Sequence, residues 1–283
     1  MFLSVNLKRI FLKKVFKQGA IYAILSTGAV LTLIPVVWMI SRSFMRLEDT
    51  STDMWIPNPF TLMAYIDVFT KQPFGLYLYN TVLVTTLGVL GTLLSCSLTA
   101  FGFAFLRFKG RELLFILVLS TMMLPGEVTM IPLYRIFYSL GWIDTFKPLI
   151  VPTFFGSAFF IFLLRQFFLT IPRDILEAAR IDGASSLRIW WQIILPISRP
   201  ALVTVAVFTF LGLWNDLMGP LIYISSPKKY TLSMALLSYK SLYFEYTNMM
   251  SAAALITLLP CVIIFFLAQR AFIEGIATTG IKR

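Results

Sequence analysis

Long apolar runs with at most one charged residue recur along the chain, each close to the roughly 20 residues that a helix needs to cross ~30 Å of hydrocarbon. They fall at residues 20–40, 81–105, 113–133, 149–164, 201–224 and 252–272. Inside a bilayer every backbone N–H and C=O must be satisfied within the protein, which leaves helices and closed barrels. Barrel strands read as short alternating segments, whereas these runs are continuous, so they are expected to be helices. Apolar residues make up 58% of the chain and charged ones 13%, with a mean hydropathy of +0.84. A soluble globule has no interior large enough to hide that much apolar surface. The expectation is an all-α polytopic membrane protein of six transmembrane helices. Residues 1–19 would lead in, 20–272 would form one membrane domain and 273–283 a tail. Several runs carry helix-breaking or polar residues: Pro125 and Glu127 in the third, Pro152 in the short fourth, Pro260 in the sixth. The fifth contains Asn215, Asp216, Gly219 and Pro220. No internal repeat or low-complexity segment is present.

Charge gives the orientation. With the N-terminus inside, 16 of the 24 Lys and Arg lie on the cytoplasmic side. That bias places both termini and the loop around Glu177 in the cytoplasm. The first apolar run exceeds the roughly 7 to 15 residues of a secretory signal and lacks a clear small-residue cleavage site, so it is expected to be an uncleaved first helix. The net charge of +11 reflects basic residues flanking apolar runs, a pattern of anchoring at lipid headgroups. It forms no patch interleaved with aromatics, and no nucleic-acid partner is expected. Cys96 and Cys261 fall inside expected spans and read as packing residues rather than a disulfide. The absence of His argues against a structural zinc site, and no metal is expected.

The chain has no G-x-x-x-x-G-K-[ST] phosphate loop, no G-x-S-x-G elbow and no H-E-x-x-H pair. It is therefore not expected to be an enzyme. Uphill transport would draw either on an ion gradient or on a separate nucleotide-hydrolysing subunit.

One loop, about 170–200, is polar and helix-competent between two apolar runs. Pro172 suits a first helical turn, and Asp174 and Glu177 suit the positive end of a helix dipole. Ile175, Leu176 and Ala179 give that helix a narrow apolar side, and the small Ala178 and Ala179 permit close approach by another surface. Gly183 can supply a left-handed ending, Ser185 or Ser186 can cap a second helix towards Leu195, and Ser198 with Pro200 can start the fifth span. On composition alone this is equally an interfacial hairpin that merely ties two spans together.

Glu177-Ala178-Ala179, then Gly183, then Ile193-Ile194-Leu195-Pro196, resembles the E-A-A, G, I-x-L-P signature of permease subunits in binding-protein-dependent ABC importers. Leu124-Pro125-Gly126-Glu127, Leu164-Arg165-Gln166-Phe167-Phe168, Trp214-Asn215-Asp216 and Gln269-Arg270-Ala271-Phe272 with Gly275 narrow it to the carbohydrate-uptake group, similar to the second permease of maltose-type importers. The resemblance implies the type I importer permease fold in a cytoplasmic (inner) membrane. Its implied partners are a second permease, a dimer of ATPase subunits, an extracytoplasmic solute-binding protein and a sugar-like solute, besides membrane lipid. ATP and Mg would be used by the ATPase, with no cofactor bound by this chain. Glu177, Ala178, Ala179, Asp182, Gly183, Leu195 and Pro196 would then couple ATPase closure to the membrane helices.

The solute path is less sharply marked. Glu127, Asn215 and Asp216 are polar groups at or near membrane depth, where such residues usually face a cavity or a partner. Trp214 has two readings: a platform for the apolar face of a sugar ring, or an interfacial or helix-packing aromatic. The outer stretch Trp55-Ile56-Pro57-Asn58-Pro59-Phe60 is poorly suited to helix and is either a docking surface for a binding protein or an ordinary loop. A polyol phosphate is the alternative cargo. An ion-driven carrier or a channel would call for paired intramembrane charges, matched broken helices or a pore loop, none of which is evident.

Overall fold

The computed structural model describes residues 2–51, 54–239 and 246–280, with side chains over 16–50, 54–239 and 246–269. The basic residues from Lys8 to Lys14 and the run 270–275 lie outside the side-chain description, and 281–283 lie outside it altogether. The regular structure of the described residues is helical throughout. They divide into two compact units.

The first unit holds the N-terminal segments. Helix α1 (Phe2–Ser43) runs without a break from the expected lead-in through the first span, with Pro35 inside it. Within its apolar part, Phe16–Ser43, the most apolar stretch has a mean hydropathy of 2.1 and none of it is buried, a surface fit for lipid or a partner helix. At its end Arg42 is buried, donates to Thr50 O at 2.7 Å and lies 5.3 Å from the Trp38 ring centroid. The stretch from Trp55 to Phe60 folds back: Phe44 stacks on Phe60 at 4.6 Å, and the Thr61 amide donates to Phe44 O at 2.9 Å. A short helix α2 (Met63–Thr70) follows, with Ala64 and Val68 buried. Near the start of the last helix, Asn248 Nδ2 donates to Met45 O at 3.3 Å, which ties that turn into the same unit.

The second unit is organised on α3 (Phe74–Phe105), followed by α4 (Arg111–Ser120), α5 (Gly126–Ser139), α6 (Lys147–Ile150) and α7 (Ala158–Phe168). Next come α8 (Arg173–Ile181), α9 (Ser186–Ile189), a π-helical turn at Trp190–Ile194, and α10 (Leu195–Ile197). The series ends with α11 (Arg199–Trp214), α12 (Met218–Tyr223), α13 (Leu232–Ser238) and α14 (Thr247–Gly280), which starts in the first unit and continues into this one. Among the described residues of both units, four stretches are long and apolar enough to cross a membrane, rising to six if each of two bent pairs counts as one span.

Four spans differ from the sequence reading. The third is no straight helix over 113–133: it stops at Met123 and restarts at Gly126 after a 99° bend. Pro125 has no amide to continue the ladder and holds Leu124 extended (φ −85°, ψ 116°). The fourth starts earlier, at Lys147, and is interrupted between α6 and α7, where Gly156 adopts φ +85°. The helix of the fifth is confined to α11, because the chain leaves helical geometry at Asn215 and resumes as α12. The sixth helix continues past 272 to Gly280, through most of the expected tail.

Beyond the bend, α5 ends in a Schellman motif. The Trp142 amide reaches Phe137 O at 2.9 Å, the Gly141 amide reaches Tyr138 O at 3.0 Å, and Gly141 takes φ +66°. Phe137 and Trp142 supply the apolar contact of that motif, stacked at 5.6 Å. The turn delivers Asp144, whose Oδ1 accepts from the amides of Ser225 at 3.0 Å and Ser226 at 2.8 Å. Its Oδ2 pairs with Lys229 Nζ at 3.0 Å. Buried Asn80 on α3 holds the same loop, donating to Lys228 O and Tyr230 O at 3.0 Å each. The hydrogen bonds from Ser226 are the largest cause, with Lys229 adding to them, that holds the Asp144 carboxyl well below the usual carboxylate range.

A carboxylate with a depressed folded pKa contributes stability that is complete above its unfolded value, ~3.9, and is lost as pH falls below that towards the folded value. Asp144→Asn is expected to lower the melting temperature of the purified protein at neutral pH. Its deficit relative to the wild type is expected to shrink as pH falls below about 4. Thermal denaturation across pH checks both parts, and a deficit that does not change with pH removes the ionised clamp.

Candidate functional site: the helical hairpin 173–197

Pro172, extended at ψ 134°, leads into α8, and Asp174 occupies the first turn. The Ala184 amide donates to Ala179 O at 2.9 Å and the Gly183 amide to Arg180 O at 3.0 Å, a second Schellman ending. Gly183 has φ +77°, and a Cβ built there meets nothing within 4 Å. What selects glycine is therefore backbone conformation and not space. Ser185 caps the next helix, its Oγ accepting from the Arg188 amide at 3.3 Å. Ser198 then ends α10, and α11 departs at 83° with Pro200 in its first turn.

The hairpin is seated on the membrane helices by its apolar face. Leu176, Ala179, Ile189, Trp190 and Ile194 are buried in one cluster with Cys96, Phe101 and Phe103 of α3, Phe115 of α4, Leu164 and Phe168 of α7, and Val205 of α11. Cys96 is a free thiol whose sulfur accepts from the Ser157 amide at 3.2 Å, and Cys261 is also free. Arg165 clips the ends of three helices together. It donates to Phe103 O at 3.3 Å, pairs with Glu112 at 3.5 Å and lies 4.1 Å from the Phe115 ring centroid.

Of the sequence candidates, Glu177, Ala178, Asp182 and Gly183 face outward, as does Pro196, while Leu195 is half-buried. Ala179 is buried, so its small size serves packing on the chain's own core. Ile175 is 39% exposed and does not share the apolar side with Leu176 and Ala179. Ile181, which the sequence reading passed over, is 87% exposed. It lies about 140° round the helix from Leu176, and that angular offset between two polar neighbours is the signal that marks it.

None of the solute-path candidates lines the clefts beside α8 or the one at Tyr134. Glu127 is exposed in the first turn of α5. Asn215 is exposed and donates to Leu211 O at 2.8 Å. Asp216 Oδ1 accepts from the Gly219 amide at 3.1 Å at the start of α12, and its carbonyl accepts from Ser233 at 2.7 Å. Trp214 is 2% exposed and its Nε1 donates to Thr257 O at 3.0 Å. Of its two readings, the geometry gives helix packing, since no ring face is open to a sugar. A row of aromatics missed in the sequence lies elsewhere, with Tyr134 stacked on Tyr138 at 6.5 Å and on Tyr223 at 6.3 Å beside Arg135.

The profile of the family described as binding-protein-dependent transport system inner membrane component matches residues 91–277, which include the whole hairpin. The chain belongs to that family. Such proteins are the permease components of ABC importers, non-catalytic membrane subunits that work with a separate ATPase. The arabinooligosaccharides transport system permease protein AraQ of Halalkalibacterium halodurans is 32% identical over 93% of this chain and 94% of its own length. The sn-glycerol-3-phosphate transport system permease protein UgpE of Yersinia enterocolitica is 36% identical over 73% of this chain and 74% of its own. The crystal structure of a bacterial ABC transporter involved in the import of the acidic polysaccharide alginate contains a chain of the same fold. It aligns with a TM-score of 0.80 and 24% identity over 89% of this chain and 95% of that one. This chain is accordingly an inner-membrane permease subunit of a binding-protein-dependent importer.

Trp214→Leu in this permease removes a buried ring and an indole hydrogen bond, and is expected to cost about 2 to 3 kcal/mol of stability. The solute concentration giving half-maximal uptake is expected to stay unchanged. A rise in that concentration at undiminished thermal stability would restore the sugar-platform reading.

Proposed function

We propose that this permease forms half of the translocation path for a carbohydrate or related solute, beside a second permease subunit, and that α8 is the coupling helix that docks on an ATPase partner. The observation that carries the reading is the two-sided hairpin. One side is fixed to the cores of α3, α4, α7 and α11, and the other presents Glu177, Ala178, Ile181, Asp182 and Gly183. A rigid link of that kind moves the membrane helices when the docked surface moves. Leu195 and Pro196 serve the same role from behind, at the joint where the hairpin turns into α11. Ala179 serves it from the packed side. ATP and Mg are consumed by the ATPase pair, and an external binding protein supplies the solute. The excess of Lys and Arg around 8–17, 107–111 and 165–199 supports cytoplasmic termini and a cytoplasmic hairpin.

The cargo reading rests on relatives that carry arabinooligosaccharides and sn-glycerol-3-phosphate in their names. A carbohydrate comes first and a polyol phosphate second. Glu127, Asn215 and Asp216 remain the polar groups of this chain proposed for the solute path.

Gly183→Asp keeps a residue that tolerates the left-handed conformation at a cost of about 1 kcal/mol, too little to remove the protein from the membrane. It adds charge beside Asp182 at the docking face. Normal membrane levels with uptake abolished are expected, while Gly183→Asn, equally tolerant and uncharged, is expected to keep part of the uptake. Wild-type uptake by the Asp variant would refute the coupling role. Purification in mild detergent with mass spectrometry of the co-purifying proteins tests the assembly: an ATPase and a second permease are expected. Ile181→Asp is expected to lower ATPase recovery by removing an apolar contact. Reproducible recovery of the chain alone would overturn the stable assembly proposed here.

A further inference from the structure

The connection between α3 and α4 and the first turns of α8 line two adjoining open clefts, of about 410 and 520 Å³. Arg107, Arg111 and Arg173 line both, and Arg180 lines the first. The acidic residues lining them are Glu177 in the first cleft and Glu112 in the second. Glu112 is already engaged, with Arg111 at 2.7 Å and Arg165 at 3.5 Å. Arg111 also donates to Leu106 O at 3.3 Å. Arg107, Arg173 and Arg180 have no ion pair or side-chain hydrogen bond among the described residues. Three arginines without an ion pair among the described residues thus line a cleft whose lining carries more positive than negative charge.

The place of the cleft selects the occupant. It opens where α3 ends and α4 begins, at the level where two membrane helices emerge. Next to it Phe108, Leu113, Leu114 and Leu117 are 44%, 64%, 47% and 53% exposed. A soluble anion has no use for that apolar face, whereas a lipid meets both parts at once. We propose that the Arg107–Arg173 cleft binds the phosphate headgroup of an anionic phospholipid, with its acyl chains against the exposed face of α4. Guanidinium suits this task because it offers forked donors to phosphate oxygens, and basic pockets between membrane helices hold such headgroups. Because Leu176 and Glu177 line the same cleft, the lipid would brace the hairpin against the membrane surface. The inference does not depend on the cargo, but it shares Leu176, Glu177 and Arg180 with the helix proposed to dock on the ATPase, so subunit recovery is read beside lipid retention.

The test uses the purified importer in nanodiscs of equimolar phosphatidylglycerol and phosphatidylcholine, with native mass spectrometry of the lipids retained on release. The wild type is expected to retain phosphatidylglycerol in excess. The double variant Arg107→Gln, Arg173→Gln is expected to lower that excess about tenfold while all protein subunits stay together. Arg107→Lys with Arg173→Lys, which keeps the charge but not the fork, is expected to fall between. Unchanged retention in the Gln variant overturns the proposal. So does loss of the ATPase with lipid retention intact, which would make the cleft a protein-docking surface. Displacement of the lipid by inorganic phosphate, and not by chloride at the same ionic strength, would assign the cleft to a soluble anion and also overturn it.

Discussion

The seating of the helical hairpin on the membrane helices is the interaction from which the rest of the second unit follows. Leu176, Ile189, Trp190 and Ile194 lie in the same apolar cluster as Phe101, Leu164 and Val205, so the hairpin and three of the helices have one core, not two. Protein interiors are packed as densely as organic crystals, and a shared core transmits displacement instead of absorbing it. A loop tethered only by its ends would need no buried tryptophan and no π turn. The π segment Trp190–Ile194 begins with that buried ring, and helical insertions of this kind are common at functional sites.

Much of this was legible from residue order. Gly183, Ser185 and Pro200 sit where their conformational or capping preferences put them, whereas Pro172 stands just ahead of α8 as its extended N-cap residue and Ser198 holds the N-cap position of α11 without a side-chain cap hydrogen bond. The apolar runs announced helices for the same reason, since a bilayer leaves the backbone few alternatives. What the sequence concealed was direction. Pro125 inside an apolar run announces a disturbance, but a 99° turn depends on what receives the chain afterwards, here Phe137 stacking on Trp142 and Asp144 gripping the amides of Ser225 and Ser226. Ser225 and Ser226 lie some 80 residues downstream of Asp144, beyond the reach of local pattern reading.

Trp214 illustrates the same limit on the functional side. Its position between an apolar helix and Asn215-Asp216 is compatible with a sugar platform and with packing, because an indole serves both through the same ring and N–H. Only the distance from Nε1 to Thr257 O, a partner 43 residues away, separates the two. Asp216 is similar. A carboxylate near membrane depth invites a transport role, yet its oxygen is occupied by the Gly219 amide where α12 begins, the ordinary work of a helix-starting residue.

The outward side of the hairpin poses an electrostatic problem that its own residues do not solve. Glu177 and Asp182 face outward with Arg173 and Arg180, while Arg107 and Arg111 approach from the α3–α4 connection. Exposed charges of this kind contribute little to stability by pairing with one another, typically less than about 1 kcal/mol per pair. Their concentration on one surface is therefore better accounted for by what the surface meets than by what it holds together. An apolar Ile181 at 87% exposure among them points the same way, because leaving it in water forgoes burial worth about 1.5 to 3 kcal/mol. A surface that is mixed in charge, apolar at its tip and rigid at its base has the properties of one that is completed by a partner, and the permease fold places it where only cytoplasmic subunits and lipid headgroups can reach if the basic loops lie inside.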